Sequence, residues 1–181
     1  KKIVVLGAGF GGLRAAKILG REAGKDHDVT LIDRNAYHTF TPLLYEVAST
    51  DKETANYIDL KSLVAYPVTE LLESLPITFI ESSISGIDLE KNWIDLEDGR
   101  RVVYDYLVIA LGAESHHFDI PGLAGAAFEF KTFTDALKIR DAIWARLTAE
   151  TDNVIRIVIG GAGPTGVRRL NTDRRVRASR S

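Results

Sequence analysis

Gly7-Ala8-Gly9-Phe10-Gly11-Gly12 sets glycines at the spacing G-x-G-x-x-G, a pattern that lets a backbone turn come close to a phosphate group. In such a turn Gly7 permits the tight bend, Gly9 allows the backbone to approach a pyrophosphate, and Gly12 lets helix and strand pack closely. The unpaired N–H groups and positive dipole end of the helix that follows favour an anion. Asp33 stands 21 residues after Gly12, at the end of a second apolar run. A carboxylate placed there accepts hydrogen bonds from an adenosine ribose. Glycines alone would also fit an ordinary loop, and the acid at this spacing separates the two readings.

A second turn, Gly161-Ala162-Gly163-Pro164-Thr165-Gly166, begins 154 residues after the first and follows the apolar run Val154 to Ile159. Two nucleotide sites explain this internal echo. The second motif lacks its confirming context, because no strand and acid fit between it and Ser181. Instead, residues 168–181 hold six arginines (Arg168, Arg169, Arg174, Arg175, Arg177, Arg180) and one acid, Asp173. A helix covering a sheet needs an apolar stripe about 100° wide. Only Val167, Leu170, Val176 and Ala178 are available to form one. This end is expected to make a short helical turn at most and to stay exposed, as a frame-disrupted end or a basic tail.

The elements that must position these residues follow from periodicity. Ile3 to Leu6 is a wholly apolar, β-branched run, the signature of a parallel strand covered on both faces. "LRAAKILGREAG" has helical spacing, and Asp28 to Ile32 is a second strand ending at Asp33, which completes a βαβ unit. Arg34 to Ser49 reads as an irregular loop, and Tyr57 to Ser74 as helical pieces broken at Pro67. Short β runs fill Ile77 to Ala110, with an Asp98-Gly99 hairpin turn, as a β-rich insert returning to the sheet through "YDYLVIALGA". Thr134 is the expected N-cap of a helix whose Ala136, Leu137, Ile139, Ile143 and Leu147 make one apolar face. Val154 to Ile159 is expected to be another buried strand. The fold class is therefore α/β: a doubly wound, Rossmann-like domain with a β-rich insert and the start of a second βα unit.

Composition narrows the function classes. A hydrophobic content of 45% across 181 residues supports a buried core. The net charge of −2 offers no argument for nucleic acid, and the tail arginines have no interleaved aromatic side chains. The absence of cysteine removes disulfide frameworks, thiolate metal sites and dithiol redox couples from this stretch. The basic and apolar start resembles a secretion signal, but glycines interrupt it within five residues. No apolar stretch approaches the roughly 20 residues that span a bilayer. His116-His117 are adjacent and read as surface loop, so no metal site is expected. His38 reads as a structural hydrogen-bonding group, with proton transfer as the alternative role, and Trp93 and Trp144 read as packing residues.

The segments "VVLGAGFGGLRAAKIL", "LIDRNAYHTFTPLLYEVAS", "VAYPV", "YDYLVIALGAES", "KTFTDALKIR" and "IGGAGPTGV" together resemble the two-dinucleotide-binding-domain flavoproteins. Within them they resemble the type II NADH dehydrogenases, which are single-subunit NADH:quinone oxidoreductases. The resemblance implies FAD in the first site, with Gly7, Gly9, Phe10, Gly11 and Gly12 at the pyrophosphate. Asp33, with Arg34 nearby, would meet the adenosine ribose, while Pro42 and Leu43 would lie beside the flavin ring. Ser83 and Ile84 occupy the adenine position, and Ala110 and Gly112 match a strand end that contacts FAD again. It also implies NADH on Gly161, Gly163, Pro164, Thr165 and Gly166.

Two positions depart from the family pattern: Leu111 stands where Thr is usual, and Arg168 where many members carry Glu. Disulfide reductases and sulfide:quinone oxidoreductases carry cysteines that this chain lacks, and ferredoxin reductase-like proteins fit "FTPLLYEVAS" less well. The resemblance implies a cytoplasmic enzyme on the inner face of the cell membrane, with membrane contact made only by sequence past Ser181. The domains expected are an FAD-binding part at 1–113, a connecting segment and helix at 114–152, an NAD(P)H-binding start at 153–167 and the basic tail at 168–181. Because the family completes its FAD domain with later sequence, the 181-residue chain is expected to bind FAD weakly or not at all. The alternative is a truncated or frame-disrupted product with no turnover.

Overall fold

The structure, a computed structural model, describes residues 1–22, 26–51, 57–117, 119–149 and 156–160, the side chains of 57 and 58 excepted. These residues fall into two compact units, the first from 1–38 and 66–114, the second from 39–65 and the described part of 115–181.

In the first unit, β1 (Lys2–Leu6) leads through the glycine turn into α1 (Phe10–Glu22) and on to β2 (Asp28–Asp33). A short strand β3 (Tyr37–Thr39) follows, and the chain later re-enters the unit through β4 (Ala65–Pro67), the strand it pairs with. Next come α4 (Val68–Leu71), β5 (Ile77–Glu81), β6 (Ile84–Asp88), β7 (Trp93–Leu96), β8 (Arg101–Val103) and β9 (Tyr106–Ile109). Between β3 and β4 lie α2 (Leu44–Ser49) and α3 (Tyr57–Val64), which belong to the second unit with α5 (Leu123–Ala126) and α6 (Phe133–Ala149).

The main sheet is parallel throughout, in the order β5-β2-β1-β9. By sequence its strands run third, second, first, fourth, so the winding reverses between β1 and β9. Ligands of open α/β sheets bind outside the carboxyl ends of the strands at such a reversal. Gly7 and Ala110 follow those two strand ends directly.

Strand side chains alternate between faces, which explains why β1 must be apolar throughout. Val4 and Leu6 join Ile32 on one face and pack with Ile94, Leu96 and Tyr104 of the antiparallel β6-β7-β8 region. Val5 and Leu31 face the other way, onto Leu13 and Ala16 of α1 and Val68 and Leu72 at α4. The doubly wound expectation thus holds with one layer made of a three-stranded sheet rather than of helices. β5, expected within the β-rich insert, pairs with β2 in the main sheet. The Asp98-Gly99 turn joins β7 to β8, with the Gly99 N–H donating to the Leu96 carbonyl at 3.0 Å.

Three expectations need correction. Arg34 to Ser49 is not an irregular loop: it holds β3, a 3₁₀ turn at Thr41–Leu43 and α2. Pro42 lies in the first turn of that 3₁₀ segment, where a missing N–H is harmless. Leu44, Val47 and Ala48 share one face of α2 and are buried with Ala136 and Ile139 of α6 in the second unit. The N-cap of α6 is Thr132, not Thr134. The Thr132 hydroxyl accepts the Asp135 N–H at 3.1 Å, and the Asp135 carboxylate accepts the Thr132 N–H at 2.9 Å, a reciprocal capping box. Finally, residues 156–160 form no strand, and Val158 is 93% exposed, so the apolar run there has found no sheet partner among the described residues.

Candidate functional site

The first glycine turn divides into a buried and an open half. Gly7, Ala8 and Gly12 are buried, while Gly9, Phe10 and Gly11 are exposed. Gly7 has φ +96°, and a Cβ added there would come within 2.4 Å of the Ala110 carbonyl oxygen. A Cβ on Gly12 would lie 1.8 Å from the Gly7 carbonyl oxygen, so the first turn of α1 and the end of β1 touch backbone to backbone. Gly9 and Gly11 differ, because a Cβ on either would meet nothing within 4 Å.

Side chains at the end of β2 and just beyond it hold the buried half. Asp33 Oδ2 accepts the Ala8 N–H at 2.6 Å, and Oδ1 accepts the Asn35 N–H at 2.8 Å. His38, buried, places Nδ1 2.8 Å from the Ala8 carbonyl oxygen. The Gly7 N–H extends the sheet by donating to the Ile32 carbonyl at 2.7 Å, and the Ala110 N–H donates to the Leu6 carbonyl at 2.9 Å. The first intrahelical bond of α1 runs from the Leu13 N–H to the Gly9 carbonyl at 2.9 Å. The N–H groups that precede this bond point out of the helix end, as helix geometry requires.

The other expected site residues are distributed unequally. Asp33, Arg34, Ser83, Ile84, Ala110 and Gly112 lie in the first unit with the glycine turn. Ser83, half-buried, accepts the Glu97 N–H on its carbonyl at 3.0 Å, and Ile84, the first residue of β6, packs against the core cluster of Val4, Leu6 and Ile94. Leu111 and Gly112 are exposed just beyond β9. Pro42 and Leu43 belong to the second unit. Gly161, Gly163, Pro164, Thr165, Gly166 and the whole of 168–181 lie outside the described residues.

Sequence reasoning named His38 as a structural group without finding its partner, and it missed Asn35 and the capping role of Thr132. An asparagine two residues past an aspartate is a signal for local turn bonding, and it was present at Asn35. His117 Nε2 lies 3.7 Å from Glu129 Oε1. No group of three or more metal-ligating side chains occurs among the described residues. Likewise, no helix among them is long and apolar enough to cross a membrane.

This arrangement, a parallel sheet with a glycine turn and an acid at the switch of winding, defines an α/β protein of Rossmann-like architecture. The profile of the pyridine nucleotide-disulphide oxidoreductase family matches residues 1–169, and the chain belongs to that family. It is 34% identical over 176 residues to the type II NADH:quinone oxidoreductase of Staphylococcus haemolyticus, covering 92% of this chain and 41% of that protein. The Staphylococcus aureus (strain NCTC 8325) enzyme of the same name is 33% identical over 185 residues, covering 96% and 44%. Among solved structures, NDH2 from Plasmodium falciparum in complex with NADH superposes with a TM-score of 0.71 at 28% identity, over 96% of this chain and 36% of that one. The sulfide:quinone oxidoreductase of Aquifex aeolicus gives a TM-score of 0.68 at 28% identity, over 82% and 33%. The chain thus spans 41–44% of the length of these curated relatives.

Proposed function

We propose that the protein is an FAD-dependent oxidoreductase that takes hydride from NADH and delivers electrons to a quinone, and that the first glycine turn holds the FAD pyrophosphate. The observation that carries this reading is the open half of the turn. Neither internal packing nor a positive φ requires glycine at Gly9 or Gly11. Their lack of a side chain is explained by a group from outside the chain approaching the backbone closely, as a pyrophosphate does.

The residues present fit the cofactor. The Gly9 N–H and the first-turn N–H groups of α1 would donate to phosphate oxygens, aided by the positive end of the helix dipole. Asp33 already accepts from Ala8 and Asn35. A carboxylate offers about four lone-pair positions, so Oδ2 retains capacity for a ribose hydroxyl. The chemistry the cofactor supplies is acceptance of hydride and transfer of electrons onward.

The resemblance alone assigns Pro42 and Leu43 to the flavin ring, Ser83 and Ile84 to the adenine, Ala110 and Gly112 to a further contact, and Gly161 to Gly166 to NADH. It also underlies the proposed division into an FAD-binding part at 1–113, a connection at 114–152 and an NADH-binding part from 153. A place on the inner face of the cell membrane is proposed on the same ground. The absence of cysteine argues against the sulfide-oxidising relatives.

The test is equilibrium titration of the chain with FAD, followed by flavin fluorescence, with ADP as competitor. Weak but saturable binding displaced by ADP is expected. Fluorescence indifferent to the protein, or insensitivity to ADP, would remove the basis for the assignment.

A further inference from the structure

Ala8 is tied on both sides of its backbone by side chains from the last residue of β2 and from β3. Its N–H donates to Asp33 Oδ2 at 2.6 Å, and its carbonyl oxygen lies 2.8 Å from His38 Nδ1. A carbonyl only accepts, so Nδ1 carries the proton in this contact. His38 is 6% exposed, and its ring is fixed further by the edge of Phe10, with centroids 4.7 Å apart and planes at 89°.

No described peptide bond is cis. In a trans peptide the C=O and the following N–H share one plane and point in opposite directions. Drawing the Ala8 carbonyl toward His38 therefore turns the Gly9 N–H outward. There Gly9 faces open space, and its N–H has no acceptor among the described residues.

The same geometry applies one peptide earlier. Asp33 draws the Ala8 N–H inward, so the Gly7 carbonyl points the other way, to the place a Gly12 Cβ would occupy. Asp33 thus sets the peptide that seats the helix, and His38 sets the peptide that faces the ligand.

We propose that His38 is a positioning residue for pyrophosphate recognition: by donating from Nδ1 to the Ala8 carbonyl, it holds the Ala8–Gly9 peptide with the Gly9 N–H aimed at a phosphate oxygen. This rests on the reading of the turn as an FAD site. His38 touches no phosphate itself, and its contribution is the orientation of a donor before the ligand arrives. The effect is confined to ligands with a pyrophosphate, because adenosine reaches Asp33 without using the Gly9 N–H.

The experiment compares ADP and adenosine binding to the full chain by NMR titration, in wild type and in His38→Phe, His38→Asn and His38→Gln. Phenylalanine keeps a ring against Phe10 but has no donor, asparagine places an N–H near the position of Nδ1, and glutamine places it near that of Nε2. For His38→Phe the ADP dissociation constant is expected to rise about tenfold or more while that of adenosine changes by less than about twofold. His38→Asn should recover most of the loss and His38→Gln little. A wild-type chain that binds neither ligand overturns the FAD reading and the inference with it. ADP affinity unchanged in His38→Phe, or parallel losses for ADP and adenosine, overturns the inference while leaving that reading intact. Should His38→Phe not fold, equal ADP affinities for the asparagine and glutamine variants overturn it.

Discussion

The two halves of the first glycine turn use the same residue type for different reasons. In the buried half, Gly12 is demanded by the protein itself, since its Cβ would overlap the Gly7 carbonyl oxygen at 1.8 Å. In the open half, Gly9 has no neighbour that a Cβ would reach within 4 Å. A motif letter therefore does not state a role. Only the surroundings of each glycine distinguish one that the fold itself requires from one that the fold leaves open.

The comparison breaks first at its buried end. Gly12→Ala forces backbone apart rather than a flexible side chain, and overpacking of that kind costs about 1–3 kcal/mol and occasionally more. The expected outcome is a loss at the upper end of that range, measured by urea denaturation, with the glycine turn opened. A variant as stable as wild type would mean that the close approach of α1 to β1 is not required.

An intermediate case sharpens the contrast. Gly99, in the hairpin turn, has φ +84° and open space around it, so its requirement is purely one of backbone conformation. Gly99→Ala should cost about 1–2 kcal/mol, as expected for a left-handed conformation in a residue with a Cβ, and leave ADP affinity unchanged. Loss of nucleotide binding in that variant would place the hairpin in the site.

Gly9→Ala should alter stability by less than about 1 kcal/mol, because the weaker N-cap is offset by a less disordered unfolded chain. Its ADP affinity should nevertheless fall about tenfold or more, since the methyl group occupies the approach to the phosphate. Equal affinity in titration would erase the difference between the halves.

The smallest effect lies in the same hairpin, away from the glycine turn. The Arg100 side chain and N–H hold the Asp98 carboxyl at about 2 against an ordinary value of 3.8. A carboxyl lowered in the folded state contributes stability that is present above its ordinary value and is lost as pH falls from about 4 to about 2. Asp98→Asn should flatten the stability profile in that window by a small amount, given the exposure of the pair, and leave the neutral-pH nucleotide affinity untouched.

Much of this was legible from local pattern. β1, β2 and β9 announced themselves as apolar runs, and the Asp98-Gly99 dipeptide marked its hairpin. The cap of α6 was legible too, since Asp135 three residues after Thr132 completes a capping box, but Thr134 drew the assignment two residues along. α2 was hidden for a better reason. Its buried face is completed by α6, which begins 84 residues after α2 ends, and a six-residue helix has too few hydrogen bonds to be stable without such packing.

At the site, the amino-acid sequence by itself determined which stretch of backbone is bare of side chains and which acid stands 21 residues beyond it, because glycine spacing and strand length set the reach between them. The structure alone decided which glycines are already used by the fold and which stay open. It also decided that His38, five residues past Asp33, reaches back to the Ala8 carbonyl. That distinction depends on how β1, α1 and the segment after β2 converge at one strand end. Spacing limits how far a side chain can reach, but the direction of a peptide plane is set by the groups packed on both sides of it.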